Sequence, residues 1–166
     1  SMLARISFLN ESARMKSACF FVLSAVLLFI MPIGAHLAYA VEFKSVGAHP
    51  AILHDAPSER GRKVFIAPRG MPLEVILTYK EWCKVRDSSG DLSWVESKLL
   101  TPTRNVIVTA TTAKIRAAAE DNAALVFTAD RHVLLELSAP ATSGWISVKH
   151  RDGLAGFVKA ADVWGE

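Results

Sequence analysis

The chain has 166 residues, of which 51% are hydrophobic, and its formal net charge is +3. This length suits one ordinary domain or two very small ones. Residues 41–166 hold 16 Lys or Arg and 15 Asp or Glu, so the net charge of that part is only +1. A nucleic-acid-binding protein shows a clustered basic face, and this sequence contains no such cluster. We therefore expect no nucleic acid among its partners.

Residues 1–40 have the three parts of a secretory signal peptide. Two basic residues precede an uncharged apolar run, residues 18–31, and a small-x-small sequence follows it. The run has 14 residues, whereas a helix that spans a bilayer needs about 20. We predict cleavage after Ala40, with an uncleaved membrane anchor as the alternative. The start of translation stays open between Met2 and Met15.

The cysteines are consistent with export and exclude a disulfide bond within the mature chain. Cys83 is the only cysteine of residues 41–166, so it has no intramolecular partner. Cys19 lies at the beginning of the apolar run, whereas a lipoprotein cysteine would lie at the cleavage point. We expect no lipid anchor, and no membrane attachment after cleavage.

Short β-rich runs separated by turn-forming residues follow in chain order. In the first half of the mature chain they are Val64–Ile66, Pro72–Leu77, Trp82–Arg86 and Leu92–Val95. In the second half they are Leu125–Thr128, Val133–Leu137, Trp145–Lys149 and Leu154–Val158. Strands of this length, broken by turn clusters such as Asp87–Asp91, predict hairpins in a small barrel or sandwich.

The mature chain contains an internal repeat. Residues 53–77 align with residues 115–139 at an offset of 62, and one residue inserted near 140–144 raises the offset to 63. Identical pairs in the same order include Val64/Val126, Phe65/Phe127, Leu73/Leu135, Glu74/Glu136, Trp82/Trp145, Val85/Val148 and Gly90/Gly153. The repeat predicts two domains, 41–101 and 104–166, each near the lower size limit for independent folding.

Alanine-rich residues 112–124 favour a helix by composition alone. Their counterpart in the first copy, residues 54–62, contains Pro57 and Gly61, which do not suit a helix interior. Because the two copies share one fold, we predict an irregular loop over residues 112–124. Residues 159–163 are a second segment where composition allows a helix.

These motifs, in order and twice over, resemble the bacterial SH3-like domain, in the tandem pair found in exported proteins. The matching residues are Ile115–Arg116, Pro72–Val75, Trp82–Val85, Gly90 with Trp94–Val95, Gly153 with Gly156–Val158, and Val163–Gly165. The chain departs from the pattern at three places. Leu53–His54 stands where the family has Val-Arg, Ser93 stands where it has glycine, and Phe157 stands where it has tryptophan.

The resemblance implies an all-β fold of two tandem, small, partly open SH3-like β-barrels. It also implies a non-catalytic, exported binding module, which we place in the periplasm because such pairs resemble proteins of two-membrane bacteria. The expected ligand is a peptidoglycan stem peptide or another extended peptide of the cell envelope. The alternative is an adaptor or regulator that binds a separate envelope enzyme. The oligomeric state stays open.

The sequence gives little indication of a catalytic site or of a metal site. A lone cysteine with a histidine elsewhere can form a catalytic pair, which makes a small hydrolase using Cys83 a third hypothesis. Cys83 should instead share a buried face with Val85, as a small hydrophobe. The histidines show no metal-ligand spacing. We expect no catalytic residue, no metal and no cofactor.

Aromatic side chains are the better candidates for ligand binding, since SH3-type domains bind extended peptides in aromatic-lined grooves. Trp82 and Trp145 recur in the repeat, and each could equally be core or groove wall. Polar and aromatic residues that occur in one copy only are candidates for specificity. The complete set of candidate ligand-binding residues is His54, Asp55, Tyr79, Trp82, Arg116 and Trp145.

Overall fold

The computed structural model describes residues 40–166, which form one compact unit. The predicted signal peptide, residues 1–40, lies outside the described residues except for Ala40. Within the described part, no helix has the length and hydrophobicity needed to cross a bilayer.

Seven strands of the first half form one antiparallel sheet. They are β1 (Glu42–Val46), β2 (Ala51–His54), β3 (Lys63–Ala67), β4 (Pro72–Tyr79), β5 (Trp82–Arg86), β6 (Leu92–Glu96) and β7 (Leu100–Thr101). A 3₁₀ helix, Ser97–Leu99, joins β6 to β7. The order across the sheet is β3-β2-β6-β5-β4-β1-β7. Its two edges, β3 and β7, do not pair with each other, so the sheet is not a closed barrel.

The second half repeats this sheet strand for strand. Its members are β8 (Asn105–Val108), β9 (Thr112–Arg116), β10 (Leu125–Asp130), β11 (Leu134–Thr142), β12 (Trp145–Lys149), β13 (Ala155–Lys159) and β14 (Val163–Trp164). A 3₁₀ helix, Ala160–Asp162, precedes β14. The order is β10-β9-β13-β12-β11-β8-β14, in which each strand takes the place of its repeat partner. The predicted fold class, all-β with two tandem SH3-like domains, is confirmed.

Each domain has its own hydrophobic core, built by the alternation of side chains along the strands. In β5, Cys83 and Val85 point inward and are 1% and 0% exposed. Their equivalents in β12, Ile146 and Val148, are fully buried in the second core. Full burial of one such aliphatic side chain contributes about 1.5–3 kcal/mol. The predicted burial of Cys83 beside Val85 is confirmed.

The prediction for residues 112–124 is wrong in its first part. Thr112–Arg116 forms strand β9, and only the residues after it are irregular. Ala113 and Ile115 are buried in the second core while Lys114 is exposed, which is the period of a strand. The high alanine content concealed this alternation. The extra residue of the second copy is taken up in β11, whose register shifts between Ala139 and Thr142.

Candidate binding site

His54 stands at the end of β2, next to the loop of residues 55–62. Its side chain is 6% exposed, and its Nδ1 lies 3.0 Å from the carbonyl oxygen of Gly61. Because a carbonyl oxygen only accepts, Nδ1 carries the hydrogen and donates it. The imidazole ring meets the Trp82 ring edge to face, with centroids 5.4 Å apart. Trp94 is the cross-strand partner of His54 on β6.

Trp82 belongs to the outer face of the first sheet, because it alternates with the core residue Cys83. It is 9% exposed, so most of its surface is packed against neighbouring residues. Tyr79 lies directly opposite Trp82 in the β4–β5 register and is 50% exposed. On the same face, the Lys84 ammonium lies 5.9 Å from the centre of the Trp94 ring. We call His54, Tyr79, Trp82 and Trp94 the aromatic face.

Asp55 shapes the loop beside the aromatic face. Its Oδ1 accepts a hydrogen bond of 2.8 Å from the Arg62 backbone nitrogen, and its Oδ2 lies 3.3 Å from Arg62 Nε. The Asp55 backbone nitrogen donates to the Arg62 carbonyl oxygen at 3.0 Å. These contacts close the loop at its base, so Asp55 orders the chain there and offers a carboxylate at the surface.

The second domain carries a different set of side chains at the equivalent place. Arg116, which replaces His54, donates from Nη1 to the Ala123 carbonyl oxygen at 2.9 Å. Lys159 lies 5.7 Å from the centre of the Trp145 ring and forms a 2.6 Å ion pair with Asp121. The hydrogen bond and the positive charge of Lys159 lower the pKa of Asp121 from its ordinary value.

The structure therefore brings His54, Trp82 and Tyr79 together on one face, with Asp55 at its border. Arg116 and Trp145 lie on the corresponding face of the second domain, and within residues 40–166 no hydrogen bond, ion pair or ring contact joins them to the first set. Residues 40–166 contain no group of three or more potential metal ligands. The outer faces thus offer aromatic edges, hydrogen-bond donors and single charges to a ligand.

Sequence reasoning missed the residues that join the two domains. Phe43 and Trp164 meet edge to face with centroids 5.0 Å apart, and the Arg104 guanidinium lies 5.4 Å from the centre of the Phe43 ring. Asn105 Nδ2 donates to the Gly70 carbonyl oxygen at 2.9 Å. One signal was available in the sequence: at an offset of 62, Phe43 aligns with Asn105, so the repeat is broken at this position.

Comparison with known proteins gave matches to a family and to solved structures. A search of the curated proteins found no relative. NlpC2 and NlpC1 from Trichomonas vaginalis are similar solved structures, with a TM-score of 0.36 and sequence identities of 9% and 10%. Each match covers 76% of this chain. It covers about half of the other chain, 49% of NlpC2 and 46% of NlpC1. A likeness of this size says nothing about function.

The profile of the bacterial SH3 domain matches the chain twice, at residues 47–102 and 109–165. The two matches together cover more than half of the chain and coincide with the two sheets. The chain belongs to the bacterial SH3 domain family, of which it carries two copies in tandem.

Proposed function

We propose that this protein is a non-catalytic binding module of the bacterial envelope, acting in the periplasm after cleavage of its signal peptide. Its ligand is an extended peptide, in the first place the stem peptide of peptidoglycan, which lies along the aromatic face. The observation that carries this proposal is that the half-exposed Tyr79 lies opposite Trp82. The Trp82 ring in turn packs against the His54 ring. Membership of a family of binding domains supports it.

The aromatic face suits a peptide for two reasons. Rigid aromatic side chains give contact area at a small entropic cost, and they dominate binding energy at many interfaces. The loop of residues 55–62 borders the face and adds the Asp55 carboxylate, which can accept a hydrogen bond from a peptide N–H. Because Trp82 is nearly buried while Tyr79 is half exposed, Tyr79 supplies most of the contact area.

Co-sedimentation of residues 41–166 with purified, protein-free peptidoglycan tests the proposal. We expect saturable pelleting that high salt does not abolish, and Tyr79→Ala should weaken it at least about fivefold. Thr142→Ala is the matched control, since Thr142 pairs with Trp145 as Tyr79 pairs with Trp82. Absence of pelleting, or equal pelleting of the two variants, contradicts recognition through this face.

A second candidate function is that of an adaptor bound to an envelope enzyme, and edge strand β3 favours it. Val64, Phe65 and Ile66 are 44%, 49% and 68% exposed, on a strand whose outer edge pairs with no other strand of residues 40–166. Such an edge can accept a strand of a partner protein. The variant Ile66→Lys should then abolish capture of an envelope protein that Tyr79→Ala still captures.

A further inference from the structure

A concave site separate from the aromatic face lies where the two domains meet. This interdomain cleft has a volume of about 750 Å³, within the range of roughly 300–1,000 Å³ usual for small-ligand pockets. The first domain lines it with Val46–Ala48 and with Arg69 and Gly70, and the second with Val133–Glu136 and Lys149–Arg151. Because both domains contribute, the cleft is a property of the tandem pair and not of either copy.

Asn105 fixes the two sides of the cleft relative to each other. It lies at the start of β8, lines the cleft and donates to the Gly70 carbonyl oxygen across the domain boundary. Gly70 has φ +80°, and a Cβ there would approach Asn105 Nδ2 to 3.2 Å. A larger residue at position 70 would therefore strain the backbone and crowd this hydrogen bond.

The cleft carries an excess of positive charge. Arg69, Lys149 and Arg151 line it and are exposed, and among residues 40–166 no carboxylate lies within ion-pair distance of any of them. His150 is already paired with Asp152, whose Oδ2 lies 2.9 Å from its Nδ1. Three cations around one concave surface attract an anionic ligand.

Glu136 is the one acidic residue of the lining. It stands opposite Lys149 in the β11–β12 register, on the second domain's side of the cleft. A carboxylate at this place repels a ligand that is anionic throughout, such as a phosphate polymer, and accepts hydrogen bonds from an amine. The charges of the cleft are thus complementary to a ligand that has several acid groups and one amino group.

We propose that the interdomain cleft binds a short acidic peptide with a free amino terminus. Its carboxylates pair with Arg69 and Arg151, whose guanidinium groups can hold them through two parallel hydrogen bonds. Lys149 adds a further positive charge, and the amino group of the peptide meets Glu136. A single inorganic anion would leave most of the cleft unfilled, which is why an organic ligand fits better.

This site is independent of the aromatic face, with which it shares no residue. Isothermal titration of residues 41–166 tests it with a tetrapeptide of sequence alanine-glutamate-glutamate-alanine. The matched peptide carries glutamine in place of both glutamates. We expect the glutamate peptide to bind more tightly, by a margin that shrinks as the ionic strength rises.

The variants Arg69→Ala and Arg151→Ala should each weaken the glutamate peptide about two- to fivefold, the usual effect of a solvent-exposed ion pair. Lys114→Ala is the control that removes an exposed cation of strand β9 outside the cleft. Acetylation of the peptide's amino group should weaken binding to the wild type but not to Glu136→Gln. Thermal unfolding checks that all variants fold.

Three results would overturn the proposal. The first is equal affinity for the glutamate and glutamine peptides. The second is an unchanged affinity in both arginine variants, since these side chains are exposed and their removal leaves the cores intact. The third is displacement of the peptide by inorganic phosphate at equal concentration, which would make the cleft a simple anion site. None of these results depends on whether the aromatic face binds peptidoglycan.

Discussion

His54 and Arg116 stand at equivalent positions of the two domains. Each donates a hydrogen bond to a carbonyl oxygen of the loop that follows it, and the two acceptors, Gly61 and Ala123, are also at equivalent positions. His54 Nδ1 lies 3.0 Å from the Gly61 oxygen, and Arg116 Nη1 lies 2.9 Å from the Ala123 oxygen. Two different side chains thus hold one backbone conformation. The histidine also packs its ring against Trp82, whereas the second domain has the guanidinium of Arg116 at this position.

We predict that His54→Ala lowers the free energy of unfolding by about 1–3 kcal/mol, because it leaves a loop carbonyl without its donor and removes a ring packed on Trp82. His54→Arg should recover part of the loss, since arginine makes this bond in the second domain. Urea unfolding measures the effect, with the exposed His49→Ala as control. If His54→Ala unfolds at the same urea concentration as the wild type, the hydrogen bond from His54 to Gly61 contributes nothing to the stability.

Gly156 allows a close approach between β13 and β9. A Cβ at this position would lie 2.6 Å from the Arg116 carbonyl oxygen and 2.7 Å from Ile115 Cγ2. We predict that Gly156→Ala destabilises the protein by about 1–3 kcal/mol, as overpacking of a core does. Ser93, the equivalent residue of the first domain, already has a side chain, so Ser93→Ala is the matched control and should cost less. Equal thermal shifts for the two variants would contradict this difference.

The parts of the fold that were predictable are those whose side chains alternate strongly. Trp82–Arg86 and Trp145–Lys149 were predicted with the bounds that β5 and β12 have, because each is a run of β-forming residues that a turn cluster separates from the next run. Strand β9 was missed because its buried positions include Ala113, and β1 was not predicted at all. Small residues give a weak periodic signal even where the core is tight.

The candidate site was predictable only as a set of residue types. His54 and Trp82 were both chosen from the sequence, but their contact depends on β2 lying beside β6, a pairing between strands far apart in the chain. The interdomain contact of Phe43 with Trp164 depends on how one domain packs on the other. An internal repeat describes each domain and contains no information on that packing.

Cys83 provides a test of the non-catalytic proposal. Cys83 is 1% exposed, and its Sγ lies 3.1 Å from Oγ of the half-buried Ser97. We predict that the native mature chain, residues 41–166, reacts with a thiol reagent such as dithionitrobenzoate only as fast as the protein unfolds. The variant Lys114→Cys, which adds an exposed thiol, should react at once at one site. Rapid modification of Cys83 itself would revive the hydrolase hypothesis.

The ion pair of Asp121 with Lys159 should give the second domain an acid-dependent contact. The hydrogen bond from Lys159, and then its charge, lower the pKa of Asp121 from its ordinary value. A carboxyl whose pKa is lower in the folded state stabilises that state above its unfolded pKa. This contribution to the stability disappears as the pH falls through the pKa that Asp121 has in the folded state, which is the lower of the two.

We therefore predict that a carbon NMR titration of the Asp121 carboxyl gives a pKa below that of an ordinary aspartate. Lys159→Ala should raise this pKa towards the ordinary value, because it removes both the hydrogen-bond donor and the positive charge. Lys114→Ala, on the same sheet, should leave it unchanged. Since both partners are exposed, high salt should also reduce the shift. An Asp121 pKa that is the same with and without Lys159 would show that the pair does not form in solution.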